Sequence, residues 1–427
     1  MWKVAFTHLL PWHVQRPTAN TATRKHHTYF SRDLHHHTLP LDRSKPFPKK
    51  IWQTWKVDPT RFEETDMERS RSWMLLNPQH RYEVLTDGNA LAWVQEQYGP
   101  YGLNRPDIVD MYGSLTTTII KADLIRYLVM YVEGGVYTDI DVEAVRPVSS
   151  FIPPRYPEAD VDMVIGIETD QPAFKDHPVL GSKSQSFVQW TFMCKSRLPV
   201  MMRLIENVMA SIKALATRQG VPISEIVLSF DDVLSTTGPS QFTNAVLAEM
   251  SQMASNVSWD MFHGLFEARL VARTLVLTSE AFAAGSGHSN SGNGRGRGAM
   301  VQHHYHASHW PSQHHRQLHP VFGNVEKCNW DRECVDLWDV NTAFFASLPG
   351  DEQLKMIELN NKGPDRMPDE MEDEFGGVLF VLHHMSEHIR LESTDSSMII
   401  HDFVFALSSC TNIQAIKTLH FPALFRD

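Results

Sequence analysis

The sequence predicts an α/β fold, a sheet layered with helices, on two observations. Ile120, Leu124, Leu128 and Tyr131 recur at helical spacing, widened by Ile125, Val129 and Val132, and Gly134-Gly135 then leads into a strand pattern from Val136 to Val142. A second strand pattern, Met163 to Ile167, follows a proline-rich connection, and such alternation of helix and strand marks a sheet covered by helices. The chain has 427 residues, 42% hydrophobic and 21% charged, which is material for one large globular domain or two ordinary ones.

In chain order, residues 1–45 read as a flexible tail, rich in His, Thr, Arg and Pro without sustained periodicity. Ordered structure is expected to begin where bulky residues follow Pro48, at Ile51-Trp52-Gln53-Thr54-Trp55, as a short strand. Arg81 to Leu85 reads as a second strand, followed by the turn pair Asp87-Gly88 and a helix through Tyr98. In the central unit, Gly134-Gly135 is expected to supply a left-handed helix stop. Further helices are expected near Val200 to Ala216 and Gln241 to Met253. Residues 284–300 are Gly, Ser, Asn and Arg in low-complexity order and read as a flexible insertion. Residues 326–427 form an extension of no assigned role, with an acidic run at Asp369 to Glu374 and short apolar segments at Val378 to Leu382 and Met398 to Leu407.

The bulk properties narrow the function. A net charge of −11 supplies no basic stripe for nucleic acid, and a phosphate-bearing substrate would need a cation to approach so acidic a chain. Four cysteines are too few to build a disulfide scaffold. No segment approaches the roughly 20 apolar residues that cross a bilayer, and Pro11 cuts short the apolar start. Asn256-Val257-Ser258 is a glycosylation sequon if the chain enters the secretory pathway.

Residues two apart on a strand share a side, so Asp139 and Asp141 are expected to project together, with Tyr137 on the same parity. Two carboxylates at a strand's C-terminal end suit a hard divalent cation, which can bridge to diphosphate oxygens. A second Asp-x-Asp, Asp160-Val161-Asp162, precedes its strand in a loop, so position separates the two copies. Asp123 and Arg126, three apart, share one face of a helix that is apolar on most of its circumference. They read either as a surface ion pair or as a site for sugar hydroxyls and phosphate.

The run Lys121-Ala122-Asp123-Leu124-Ile125-Arg126-Tyr127, with Glu133-Gly134-Gly135-Val136-Tyr137-Thr138-Asp139-Ile140-Asp141, resembles the donor-site signature of the family 32 glycosyltransferases. The likeness is greatest to the fungal initiation-specific α-1,6-mannosyltransferases. Phe47 to Trp55, Asn77-Pro78 with Tyr82 and Asp87, Gln189-Trp190-Thr191 and Thr237-Gly238-Pro239 match family patterns in order, over residues 46–325. The resemblance implies a GT-A fold with a Rossmann-like nucleotide half, a GDP-mannose donor, Mn²⁺ or another divalent cation, and transfer with retention to a glycan or glycoprotein. By resemblance Asp139 and Asp141 hold metal and diphosphate, Asp141 and Arg126 being the catalytic candidates. Asp123 and Arg126 contact the donor sugar, Trp52 lies at the base, Tyr137 lies near the nucleoside, and Gln189 contacts sugar. Read without the family, Trp52 is a core aromatic and Gln189 a half-buried strand residue.

His303 to Trp310 invites a zinc reading, but no Cys or acidic partner stands at zinc spacing. The resemblance instead makes this segment a lid over metal and diphosphate, with Ser308 and Trp310 as donor contacts and Ser308 as a metal ligand. His309 interrupts the Ser-Trp pair found in the family. The family's Golgi location and its mannosyltransferase complexes are also implied by resemblance. Rival readings are mannosyl transfer to inositol phosphorylceramide and a catalytically inactive assembly subunit. Front-face displacement is favoured over a covalent intermediate, because the sequence alone marks no carboxylate as nucleophile.

Overall fold

The structure, a computed structural model, describes residues 41–289, 291–292, 294–306, 316 and 318–362. The short apolar segments near 380 and 400, the acidic run and nearly all of the tail lie outside the described residues, as do Ser308 and Trp310. The described chain divides into two compact units, one of residues up to 318 with 324–332, the other of 319–323 and residues from 333 onward. In the second unit, Trp338 Nε1 donates to the carbonyl of Gly323 at 3.3 Å and the His319 ring meets Phe345 edge-on.

Ten strands are described: β1 (Lys50–Trp55), β2 (Arg81–Thr86), β3 (Gly135–Thr138), β4 (Val142–Ala144), β5 (Met163–Asp170), β6 (Gln185–Phe187), β7 (Thr191–Cys194), β8 (Arg269–Val271), β9 (Thr274–Leu277) and β10 (Val301–His303). The main sheet runs β2-β1-β3-β7-β5-β9-β8, with β6 added on β5, while β4 and β10 form a separate antiparallel ribbon. Strands β2, β1 and β3 are parallel, and β7 is antiparallel to both β3 and β5. The C-terminal ends of β1, β2, β3 and β5 therefore share one edge, joined there by the start of β7. Ligands of α/β sheets gather at such an edge.

Strand periodicity builds a core on each face. Trp52, Tyr137, Ile165, Phe192 and Val276 pack into one cluster, and their neighbours Ile51, Val136, Val164, Met193 and Leu275 into the other. The first cluster is covered by α2 (Ala90–Tyr98), α3 (Pro106–Ser114), α4 (Thr118–Glu133), α5 (Pro199–Gln219) and α7 (Pro239–Met253), with α6 (Phe230–Thr236) beside α7. On the other face, α1 (Glu64–Leu76) packs on β4, and α8 (Ser279–Ala283) on β5 and β10. Helices α9 (Arg332–Ser347) and α10 (Gly350–Lys362) follow.

Four expectations need revision. Gly134 has positive φ (63°) but ψ of −164°, so it stops α4 without the left-handed helical turn. Its need for glycine is steric: a Cβ there would lie 2.5 Å from the backbone N of Ser196, and one at Gly135 would lie 2.5 Å from the Lys50 carbonyl oxygen. The strand expected over Val136 to Val142 breaks at Thr138. Asp139-Ile140-Asp141 is a turn, closed by Val142 N–H to the Asp139 carbonyl at 3.2 Å, and the chain restarts as β4 in the other sheet. The low-complexity stretch is tied into the domain: Ala284 and Ala299 are buried, and Gly298 N–H donates to Glu280 at 3.2 Å. Part of the expected tail also packs, because Arg43 donates to Asp162 at 2.9 Å. Asn256 is exposed, in the turn after α7.

Candidate functional site

A cavity of about 1180 Å³ opens along the C-terminal sheet edge, lined by Thr54, Trp55, Asp123, Arg126, Asp139, Asp141 and Gln189, among others. Helix α4 supplies its centre. The helix is buried on most sides, so Asp123 and Arg126, one turn apart, are buried as well, with side chains 4% and 6% exposed and paired at 2.9 Å. That excludes the surface ion-pair reading.

Arg126 gathers the other groups. Its guanidinium lies 3.3 Å from Asp139, donates to Gln189 Oε1 at 2.7 Å, and sits 5.1 Å from the Tyr137 ring centroid. Asp123 accepts from the Thr237 hydroxyl at 2.5 Å, while the Tyr127 hydroxyl donates to Gln189 at 2.8 Å. Sequence-predicted Asp123, Arg126, Tyr137, Asp139 and Gln189 thus form one network from three separate stretches. Tyr137 has a different place from the expected one. It is fully buried behind the cavity wall and donates from its hydroxyl to Asp139 at 2.7 Å, so it orients a carboxylate rather than facing a nucleoside.

The two carboxylates of the turn have unequal surroundings. Asp139 keeps 23% of its side chain exposed, with its backbone N–H on the Trp190 carbonyl. Burial pushes its carboxyl above the usual range; Arg126 works against that shift and the neighbouring Asp141 adds to it. Burial likewise raises Asp123, against Arg126. The Arg126 guanidinium is held above its ordinary value despite burial, chiefly by Asp139. Asp141 lies 3.2 Å from His303 Nε2, a neighbour delivered by the β4–β10 ribbon, in which His303 pairs with Val142.

Trp52 is corrected. It is 6% exposed within the core and does not line the cavity, whereas Trp55, three residues on at the end of β1, does. Along a strand these two positions have opposite parity, and only the strand end reaches the ligand edge. Ser308 and Trp310 lie outside the described residues. The described part of the histidine segment does find acidic partners, supplied by the fold rather than by local spacing: His303 with Asp141, His304 with Glu143 at 3.1 Å and His306 with Asp66 at 2.8 Å. Each histidine meets a different carboxylate, and no cluster of three or more metal-ligating side chains occurs among the described residues. Sequence reasoning passed over Trp55, for which a strand-end position was the available signal. It marked the segment of His303 by its run of histidines but not the pairing of His303 with Asp141.

An Asp-x-Asp turn at the ligand edge of an α/β sheet, beside a buried Asp–Arg pair, is the arrangement of a glycosyltransferase. Residues 63–159 match a family model described as a glycosyltransferase sugar-binding region containing a DXD motif, a span that includes Asp123, Arg126, Asp139 and Asp141. Such a domain calls for a nucleotide-sugar donor and a divalent cation. The chain is similar to an initiation-specific alpha-1,6-mannosyltransferase of Candida albicans, 29% identical over 266 residues, covering 57% of this chain and 67% of that one. Its Schizosaccharomyces pombe counterpart is 28% identical over 284 residues, 66% of this chain and 68% of the relative. Inositol phosphoceramide mannosyltransferase 3 of Schizosaccharomyces pombe is 29% identical over a shorter span, 125 residues, 29% of this chain and 32% of that one.

Proposed function

We propose that the protein transfers an α-mannosyl residue, with retention, from GDP-mannose to a glycan or glycoprotein acceptor, as an α-1,6-mannosyltransferase that begins N-glycan outer chains in the Golgi lumen. The observation that carries this is the buried Asp123–Arg126–Gln189–Asp139 network at the cavity centre, beside Asp141. The similarity to named mannosyltransferases supports the sugar. The α-1,6 acceptor class is supported over inositol phosphorylceramide by the longer match to those relatives.

The residues present fit a divalent cation. Asp139 and Asp141 are hard oxygen donors two apart in a turn at the cavity wall, and a bound cation would offset the burial that raises the Asp139 carboxyl against Arg126. Two carboxylates suit Mn²⁺ or Mg²⁺ alike. When bound, such a cation draws charge from the leaving diphosphate. The protein's own groups do the rest. Arg126 is locked by Asp123, Gln189 and Asp139, so its guanidinium is oriented before substrate arrives and stabilises the leaving phosphate without reorganising. The remaining lone pairs of Asp123 and the amide N–H of Gln189, whose oxygen is taken by Arg126 and Tyr127, suit the hydroxyls of the donor sugar. Trp55 presents an aromatic side chain to the nucleotide end of the cavity. This supports front-face departure of phosphate, with the acceptor entering on the same side.

Purified protein with Mn²⁺ and a panel of nucleotide sugars, assayed for nucleotide release with high-mannose oligosaccharide or inositol phosphorylceramide as acceptor, tests this reading. Turnover of GDP-mannose with the oligosaccharide is expected, abolished in Asp141→Asn. No turnover of any donor, together with no metal-dependent GDP binding, overturns it.

A further inference from the structure

Beyond the donor residues the cavity continues to the end of β5, where Glu168 lines its wall. The Glu168 side chain is 10% exposed. Its Oε1 accepts from Trp190 Nε1 at 3.0 Å and lies 3.4 Å from Nε2 of His288. Its Oε2 is buried without a hydrogen-bond partner. A buried carboxylate oxygen lacking a donor is costly and uncommon, and in a cavity wall it marks a place for a ligand's donor. Nothing in the Arg126 network uses this group.

The strand order says which ligand. Trp55 and Asp87, at the ends of β1 and β2, mark the nucleotide end, and Asp139-Ile140-Asp141 follows β3. Strand β5 stands beyond β7, on the opposite side of that turn. Around Glu168 the lining is hydroxyl-bearing and aromatic: Thr169, Ser186, Trp190, His288 and Tyr305. Polar edges beside aromatic faces suit a pyranose ring. Trp190 also ties this wall to the reacting centre. Its carbonyl takes the Asp139 N–H, its indole N–H holds Glu168, and its ring packs on His303 with centroids 4.4 Å apart.

We propose that Glu168 binds the acceptor: its carboxylate takes hydroxyl hydrogens from the terminal sugar of the incoming glycan, held in register with the donor by Trp190. The His288 ring, which lies 3.4 Å from Oε1, lines the same wall of the cavity. The inference rests on the transferase reading above, and the test separates the two.

Glu168→Gln and Glu168→Ala are compared with wild type by acceptor KM for a high-mannose oligosaccharide, by GDP affinity, and by acceptor-free hydrolysis of GDP-mannose. A rise in acceptor KM of roughly tenfold or more is expected, with GDP affinity and acceptor-free hydrolysis within about twofold. The Gln variant keeps an oxygen for Trp190 and carries the test if the Ala variant does not fold. An unchanged acceptor KM overturns the inference, as does a loss of GDP affinity parallel to the loss of transfer, which would mean a structural role. Loss of acceptor-free hydrolysis that azide restores would make Glu168 the nucleophile and overturn it equally. Donor hydrolysis by wild type without transfer to any mannosyl glycan overturns this inference and the glycan acceptor of the reading beneath it, while its donor stands. Absence of GDP-mannose turnover and GDP binding overturns the reading beneath it as well.

Discussion

Asp162 is ringed by cations: Arg273 Nε at 2.8 Å, Arg43 Nε at 2.9 Å and Lys195 Nζ at 3.2 Å, with its own side chain 4% exposed. Asp139 has Arg126 at 3.3 Å, shares it with Asp123, and stands next to Asp141. Both belong to an Asp-x-Asp triplet, and the two environments pull their carboxyls in opposite directions. Burial raises both, but at Asp162 the bonds from Arg273, Arg43 and Lys195 outweigh it and the carboxyl lies below its ordinary value. At Asp139 burial wins. A carboxylate saturated with protein cations has no capacity for a metal, whereas one left short of positive charge at a cavity wall does. Pairing, rather than spacing, separates the structural copy from the one proposed to hold the cation.

The largest effect expected from this contrast is on turnover. Asp141→Asn and Asp139→Asn should each lower kcat/KM on the order of a thousandfold, while the thermal midpoint stays level or rises because like charge is removed. Asp162→Ala should do the reverse. It strands the buried Lys195 beside Arg273, and a cost of about 3 kcal/mol in denaturant unfolding is expected, at the low end for a broken buried pair because Arg43 remains in water. The folded fraction should keep wild-type GDP affinity. If Asp162→Ala abolished GDP binding in folded protein, the contrast would fail.

How much of this was legible follows from range. The α4 stripe, the Gly-Gly stop and the strands at Ile51, Arg81 and Met163 are local patterns, and they stand where periodicity placed them. Asp123 and Arg126 were visible as a pair because an α-helix brings residues three apart together. The break of the strand at Thr138 was not visible. Val142 is as apolar as a continuing strand requires, and only its pairing with the distant His303 moves it to a second sheet. Contacts made 160 residues apart leave no local trace. The same holds for the acidic partners of His303, His304 and His306 and for the cations on Asp162.

The two tryptophans of β1 repeat the contrast with a smaller effect. Trp55→Ala removes a ring from the nucleotide end of the cavity, and GDP affinity measured calorimetrically should fall roughly tenfold, the scale of one base stacked on an aromatic ring. Trp52→Ala instead opens a hole in the core and should cost roughly 3–5 kcal/mol of stability, with GDP affinity of the folded protein retained. The opposite pattern would return Trp52 to the base.

The smallest effect is in acid, and its sign follows from the Asp162 cations. The carboxyl of Asp162 is depressed in the folded chain below the value of 3.8 it takes when unfolded. Between those two values the unfolded chain binds a proton that the folded chain refuses, so stability falls as pH falls. The contribution is full above 3.8 and is lost as pH drops through the lower folded value. Asp162→Asn carries no such proton. Its denaturation midpoint, lower than wild type near neutrality, should therefore fall less steeply below about pH 4, and the two curves should converge. Parallel curves would mean that the ring of cations does not hold Asp162 ionised, and the distinction between the two Asp-x-Asp copies would lose its electrostatic basis.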